Sequence, residues 1–154
     1  MDSLHLVSVS PQKRILVVDD LEDNLFLLQA VLEEEGYQVD VADSGEAALA
    51  KIELEAPDLL LLDVMMPGMN GCEVVRHIRQ NRILPFIPIV LVTGCDRPHQ
   101  SLALDIEGFI AKPIDFDKLL NCVGAMLAMP VAETKILETK VLESKAIANR
   151  QLTS

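Results

Sequence analysis

Apolar residues fall along this chain in short blocks whose period changes as the chain proceeds. "RILVVDD" (14–20), "QVDVA" (38–42), "DLLLLD" (58–63), "IPIVLVT" (87–93) and "GFIAK" (108–112) are runs of the length and kind that a buried strand shows. Between them the apolar positions recur at helical spacing. From about Asp23 to Glu35, Leu25, Leu28, Val31 and Leu32 share one face, Phe26 and Ala30 point outward, and Gly36 stops the helix. Ser44 is placed to cap "GEAALAKIELEA", whose inner stripe is Ala47, Ala48, Leu49 and Ile52 and which Pro57 ends. "CEVVRHIRQN" reads as a third helix, "PHQSLALDIE" as a short fourth and "FDKLLNCVGAMLA" as a fifth. The run "DLLLLD" is ambiguous, since leucine favours helix, but so short a block between Pro57 and Pro67 fits a strand better. Five strand–helix units in order predict an α/β fold with a parallel sheet and helices on both faces, because every parallel crossover needs a covering helix.

The polar residues that interrupt this pattern collect at one place. In open α/β sheets, ligand sites form beyond the carboxyl ends of the strands, where the strand order reverses. Asp19 and Asp20 follow the first strand, Asp63 ends the third, Thr93 the fourth, and Lys112 the fifth. A single Asp after a strand is commonly a helix cap or turn former; five polar groups at the same edge are a candidate site. Three clustered carboxylates raise one another's pKa unless a cation sits among them. An oxygen-only donor set suits Mg2+, which takes one or two carboxylates, water and a phosphate oxygen.

Charge and composition narrow the function classes. A formal net charge of -11 repels phosphate backbones and anionic lipid surfaces, which argues against nucleic-acid and membrane-surface roles and favours small cations and basic partners. With 50% hydrophobic residues, no Trp and only five aromatics, the core must be aliphatic. Cys72, Cys95 and Cys122 are widely spaced in apolar surroundings without a metal-binding pattern, so buried reduced thiols in a cytoplasmic protein are expected. "MDSLHLVSVSPQK" carries an acid where a secretory signal carries bases, and residues 1–12 read as a loose leader. The longest apolar stretch, "VGAMLAMPVA" at 123–132, is too short to span a bilayer and contains a proline.

The strand-end residues, taken with their loops, resemble the response-regulator receiver domain of two-component signalling. "VVDD", "LLLLDVMMPGMNG", "VTG" and "AKP" fall in order over residues 13–129. The resemblance implies a flavodoxin-like, doubly wound sheet of strand order 2-1-3-4-5, in a stand-alone regulator of the chemotaxis kind. It implies that Asp63 is the phosphoacceptor, attacking a phosphoryl group brought by the phosphohistidine of a histidine kinase or phosphotransfer protein. Asp20, Asp63 and the backbone carbonyl of Met65 would hold Mg2+, with Asp19 acting mostly through water; Lys112 would pair with a phosphoryl oxygen, and the Thr93 hydroxyl would follow the new oxygens inward. Phe109 corresponds to the aromatic switch residue, with a core position on strand five as the plainer reading. Lys112–Pro113 is expected to be cis. Gly68 and Gly71 are read as backbone devices, one for a turn beside the site and one for the start of the third helix. On this reading the chain is a phosphoacceptor that assists its own phosphorylation and dephosphorylation rather than an enzyme. A downstream protein target and a phosphorylation-dependent homodimer are implied, and the four leucines anchor the strand that presents Asp63.

Departures and alternatives bear on this reading. Only 19 positions separate Thr93 from Lys112, fewer than the family usually has, and the deficit falls on the fourth helix. Gly94 stands where a small residue is usual. Residues 130–154 repeat TKILE, TKVLE and SKAIA, whose apolar pairs drift around a helix; this tail is a frayed helix, a partner-binding segment or disorder, and its mixed charges lack the makings of a DNA-binding domain. A haloacid-dehalogenase-type phosphohydrolase also uses an Asp nucleophile with Mg2+, but it would want a second Asp two residues on, where this chain has Met65. A phosphorylation-independent adaptor would more plausibly have lost one of the five groups.

Overall fold

In the computed structural model, which describes residues 12–94 and 105–128, the five apolar runs become strands β1 (Arg14–Val18), β2 (Gln38–Ala42), β3 (Leu59–Asp63), β4 (Ile89–Thr93) and β5 (Gly108–Ala111). They form one parallel sheet of order β2-β1-β3-β4-β5. Helices α1 (Glu22–Glu34), α2 (Gly45–Leu54), α3 (Gly71–Gln80) and α4 (Phe116–Ala128) follow β1, β2, β3 and β5. Each lies within two residues of its sequence-based bounds. The fourth of the five expected helices, at 98–107, falls largely outside the described residues, and its last three positions are irregular chain leading into β5. Cys95, most of the leader and the tail from residue 130 lie outside the described residues too.

Strand β3 shows why the order works. Leu59 and Leu61 pack with α1 and α4 against Leu25, Leu28, Leu32, Leu119 and Val123, while Leu60 and Leu62 pack with α2 and α3 against Ala48, Ile52, Val74 and Ile78. All four leucines are fully buried, because a central parallel strand is covered on both faces. At roughly 1.5–3 kcal/mol per buried side chain, the four leucines anchor this strand firmly in the core. Ser44 caps α2, accepting from the Ala47 N–H at 3.1 Å, and Gly36 ends α1 with φ +96°, a left-handed conformation suited to glycine. Buried Cys72 and half-buried Cys122 are free thiols, and burial pushes both above the ordinary thiol pKa.

At the N-terminal edge of the sheet sits a charge pair that sequence reading missed. Arg79 of α3 donates from Nη2 to Glu107 Oε1 at 2.7 Å, from Nη1 to the Ile87 carbonyl at 2.8 Å and from Nε to the Asp105 carbonyl at 2.9 Å. Its guanidinium lies 5.1 Å from the centre of the Phe86 ring. Glu107 Oε1 also accepts the Ile89 N–H at 2.7 Å, so one buried carboxylate joins α3, β4 and the approach to β5.

Candidate functional site

At the opposite edge, β1 delivers two acids. Asp19 is 2% exposed; its N–H donates to the Ala42 carbonyl at 3.2 Å, and its carboxylate accepts from the Leu21 N–H at 2.9 Å and from Asn24 Nδ2 at 3.1 Å. These bonds hold the side chain at the start of α1. Asp20, beside it, is the least buried acid of the cluster. Asp63, the last residue of β3, is 3% exposed and accepts the Met65 N–H at 3.2 Å. One carboxylate oxygen from each of Asp19, Asp20 and Asp63 comes within 4.8 Å of the others.

Lys112 reaches in from the end of β5. Its Nζ stands 3.4 Å from Asp63 Oδ1 and 3.5 Å from Asp19 Oδ2, contacts of attraction rather than short bonds. Its backbone N–H donates to the Thr93 carbonyl at 2.7 Å, and the Lys112–Pro113 bond is cis, as expected. Burial pushes the Asp63 carboxyl above its usual range and the charge of Asp19 adds to this, against the pull of Lys112. The ammonium therefore leaves an excess of negative charge. A hard cation between the carboxylates fits that excess and the all-oxygen donor set.

The loop after β3 is shaped by its backbone. Gly68 has φ +75°, and a Cβ on Gly71 would lie 2.5 Å from the Asp63 carbonyl oxygen, so only glycine lets α3 start directly behind Asp63. The Gly71 N–H donates to the Val64 carbonyl at 3.0 Å, and Asn70 caps α3 through the Glu73 N–H at 3.0 Å.

Asp19, Asp20, Asp63 and Lys112 thus meet in one pocket. Thr93 is buried at the end of β4 and tied to Lys112 through the backbone. Phe109 stands apart from the acids: it is 52% exposed, which overturns the core reading, and it pairs with Leu91 on the sheet face that carries α2 and α3. The Met65 side chain is 70% exposed, and the contact given by that residue is its N–H rather than its carbonyl. Asn24, which steadies Asp19, was missed; its signal was an Asn in the first turn after an Asp pair.

Residues 15–124 match the family described as the response regulator receiver domain. The chain is 46% identical over 105 residues to the response regulator PleD of Caulobacter vibrioides, covering 66% of this chain but only 23% of PleD. It is 35% identical over 118 residues to protein PilH of Pseudomonas aeruginosa, covering 75% of this chain and 98% of PilH. Among solved structures, the response regulator TrrA from Thermotoga maritima in complex with Mg2+ and BeF superposes with a TM-score of 0.67 at 39% identity, covering 75% of this chain and all of that one. The chemotaxis protein CheY4 of Vibrio cholerae gives a TM-score of 0.70 at 30% identity over 75% of this chain and 99% of its own. Among the described residues no helix is long and apolar enough to cross a membrane.

Proposed function

The chain belongs to the response-regulator receiver family, and from that premise we propose that it is a cytoplasmic phosphoacceptor whose Asp63 takes a phosphoryl group from the phosphohistidine of a histidine kinase or phosphotransfer protein. The observation that carries this reading is Asp63 itself: a carboxylate on the most buried strand, held among two acids and one ammonium. In the reaction a carboxylate oxygen of Asp63 attacks phosphorus, the P–N bond of the donor breaks, and the leaving imidazole keeps the electron pair and takes up a proton. Asp20, Asp63 and the Met65 carbonyl would hold Mg2+, which would offset the charge of the phosphoryl oxygens; Asp19, positioned by Asn24, would add its charge beside them. Lys112 pairs with a phosphoryl oxygen. Thr93 then moves toward the phosphoryl group, Phe109 turns from its exposed position, and the changed face addresses a downstream target or a second copy. Both conformations pre-exist, and phosphorylation shifts their populations.

The test is labelling with a small acyl-phosphate donor. Acid-labile label should appear only with Mg2+ and vanish in Asp63→Asn; equal labelling in chelator, or label surviving the substitution, would refute Asp63 as a Mg2+-dependent acceptor, and no label at all would leave the chain an adaptor. Thr93→Ala should keep the label but lose the shift of Phe109 amide resonances under beryllofluoride.

A further inference from the structure

We infer that the groove between α1 and α2 is a docking surface for a basic amphipathic helix of a partner protein, adjoining the pocket that holds Asp63 at their shared Asp20. The groove is open, with a volume of about 620 Å3, within the roughly 300–1,000 Å3 span of binding pockets. Glu22, Leu25, Phe26 and Gln29 line it from α1 at the i, i+3, i+4, i+7 spacing of a single helix face, and Ala47 and Lys51 line it from α2. Its floor is the end of β2, Val41 and Ala42. Leu25 is 6% exposed and belongs to the core, whereas its neighbour Phe26 is 76% exposed and stands as a free aromatic wall. Exposed rings beside an apolar floor with a polar rim are the usual anatomy of an interface.

Charge selects the occupant. Asp20, Glu22 and Asp43 ring the groove, and Lys51 is the only base lining it among the described residues. Lys51 is already matched, since its ammonium lies 2.9 Å from Asp40 Oδ1 and donates to the Val41 carbonyl. An occupant must therefore bring positive charge together with apolar side chains.

Strand geometry selects its form. β2 is an edge strand, which in principle could accept an added strand from a partner. That route is closed at this end, because the Val41 N–H donates to the Asp40 carboxylate at 2.9 Å and the Val41 carbonyl is taken by Lys51. What remains is insertion of side chains from a helix lying in the groove.

The experiment titrates two synthetic helical peptides of Leu and Lys, and of Leu and Glu, in the same amphipathic pattern into the isotope-labelled full chain. The lysine peptide should shift amides of residues 22–29 and 41–51, with affinity falling as salt rises. Phe26→Ser, at an exposed position, should weaken it at least tenfold, while Ile83→Ser, at a position 93% exposed in the loop between α3 and β4 and outside the groove lining, should change it less than twofold. Reversing the rim with Glu22→Lys and Asp43→Lys should make the glutamate peptide the better ligand. Shifts centred elsewhere, equal binding of both peptides, or indifference to Phe26→Ser would overturn the assignment. So would concentration-dependent shifts of the same amides in the protein alone, which would make the occupant a second copy. Shifts in residues 130–154 caused by Phe26→Ser would make it the chain's own tail and overturn it equally.

Discussion

The two edges of the sheet each hold charge away from water, and they do it in opposite ways. At the N-terminal edge, Arg79 meets Glu107 at 2.7 Å, and the same two side chains satisfy two carbonyls and an amide. At the C-terminal edge, three acids face one lysine whose contacts to Asp63 and Asp19 are 3.4 and 3.5 Å. The first arrangement is saturated and balanced, which makes it a fastener. The second is under-filled and too negative, and a fold tolerates that only on a framework strong enough to carry the strain, here the leucines of β3. Incomplete neutralisation, more than burial, marks the edge where the proposed phosphoryl transfer would take place.

Substitutions can break or sharpen this contrast. Arg79→Met should have the largest effect, because it keeps the aliphatic stem but takes the guanidinium charge away from the buried Glu107 carboxylate. A loss of about 3 kcal/mol in denaturant unfolding is expected, and a loss under 1 kcal/mol would mean that the N-terminal edge is no fastener. At the other edge the sign should reverse. Asp63→Asn in chelator should stabilise the chain, raising its denaturation midpoint, since it relieves the burial and the repulsion from Asp19 that push this carboxyl upward. Added Mg2+ should shrink that advantage by binding the folded wild type. A destabilised Asp63→Asn protein without metal would remove the basis of the comparison.

The exposed pair Asp40–Lys51 supplies the scale between these edges. Although partial burial pushes Asp40 upward, its hydrogen bonds from Lys51 and Val41 and the charges of Lys51 and Arg14 prevail and hold it below its ordinary 3.8. A carboxyl lowered on folding stabilises above its unfolded pKa, and the contribution is lost as pH falls through the lowered value. Asp40→Asn should therefore cost at most about 0.5 kcal/mol at neutral pH, screened by salt, with the difference from wild type fading as pH falls below the ordinary 3.8 and through the lowered value. A larger cost would show that exposure does not set the value of a pair here.

Sequence reading reached most of the fold because each strand is a contiguous apolar run and each described helix has a marked start or stop. Even the ambiguous leucines of β3 were settled by the prolines on either side. The site was legible to the extent that its residues sit at strand ends: Asp19, Asp20, Asp63 and Lys112 need only the topology to meet. What stayed hidden depends on separations that sequence does not display. Arg79 and Glu107 are 28 positions apart and read singly as ordinary surface charges. Asn24 looked like one more polar residue in a helix, and the closeness of Gly71 to the Asp63 carbonyl is a matter of tenths of an ångström. For Phe26 the pattern gave its outward direction, but its place in a groove required β2 and α2.

The Arg79 fastener also turns β5 into a cantilever. Residues 105–107 are gripped at the base by α3 and β4, while Lys112 lies at the other end of β5 over the acids, roughly 16 Å of strand away, held to β4 by its N–H bond to the Thr93 carbonyl at 2.7 Å. A beam held in this way deflects at its tip and hardly at its root. The Glu107 amide, bonded to the Ile89 carbonyl at 3.0 Å, should therefore exchange its hydrogen only on global unfolding, while the Lys112 amide exchanges through local swings. On the proposed function, a change at Asp63 would therefore reach Thr93 and Lys112 along the C-terminal edge of the sheet while the edge held by Arg79 stays in place.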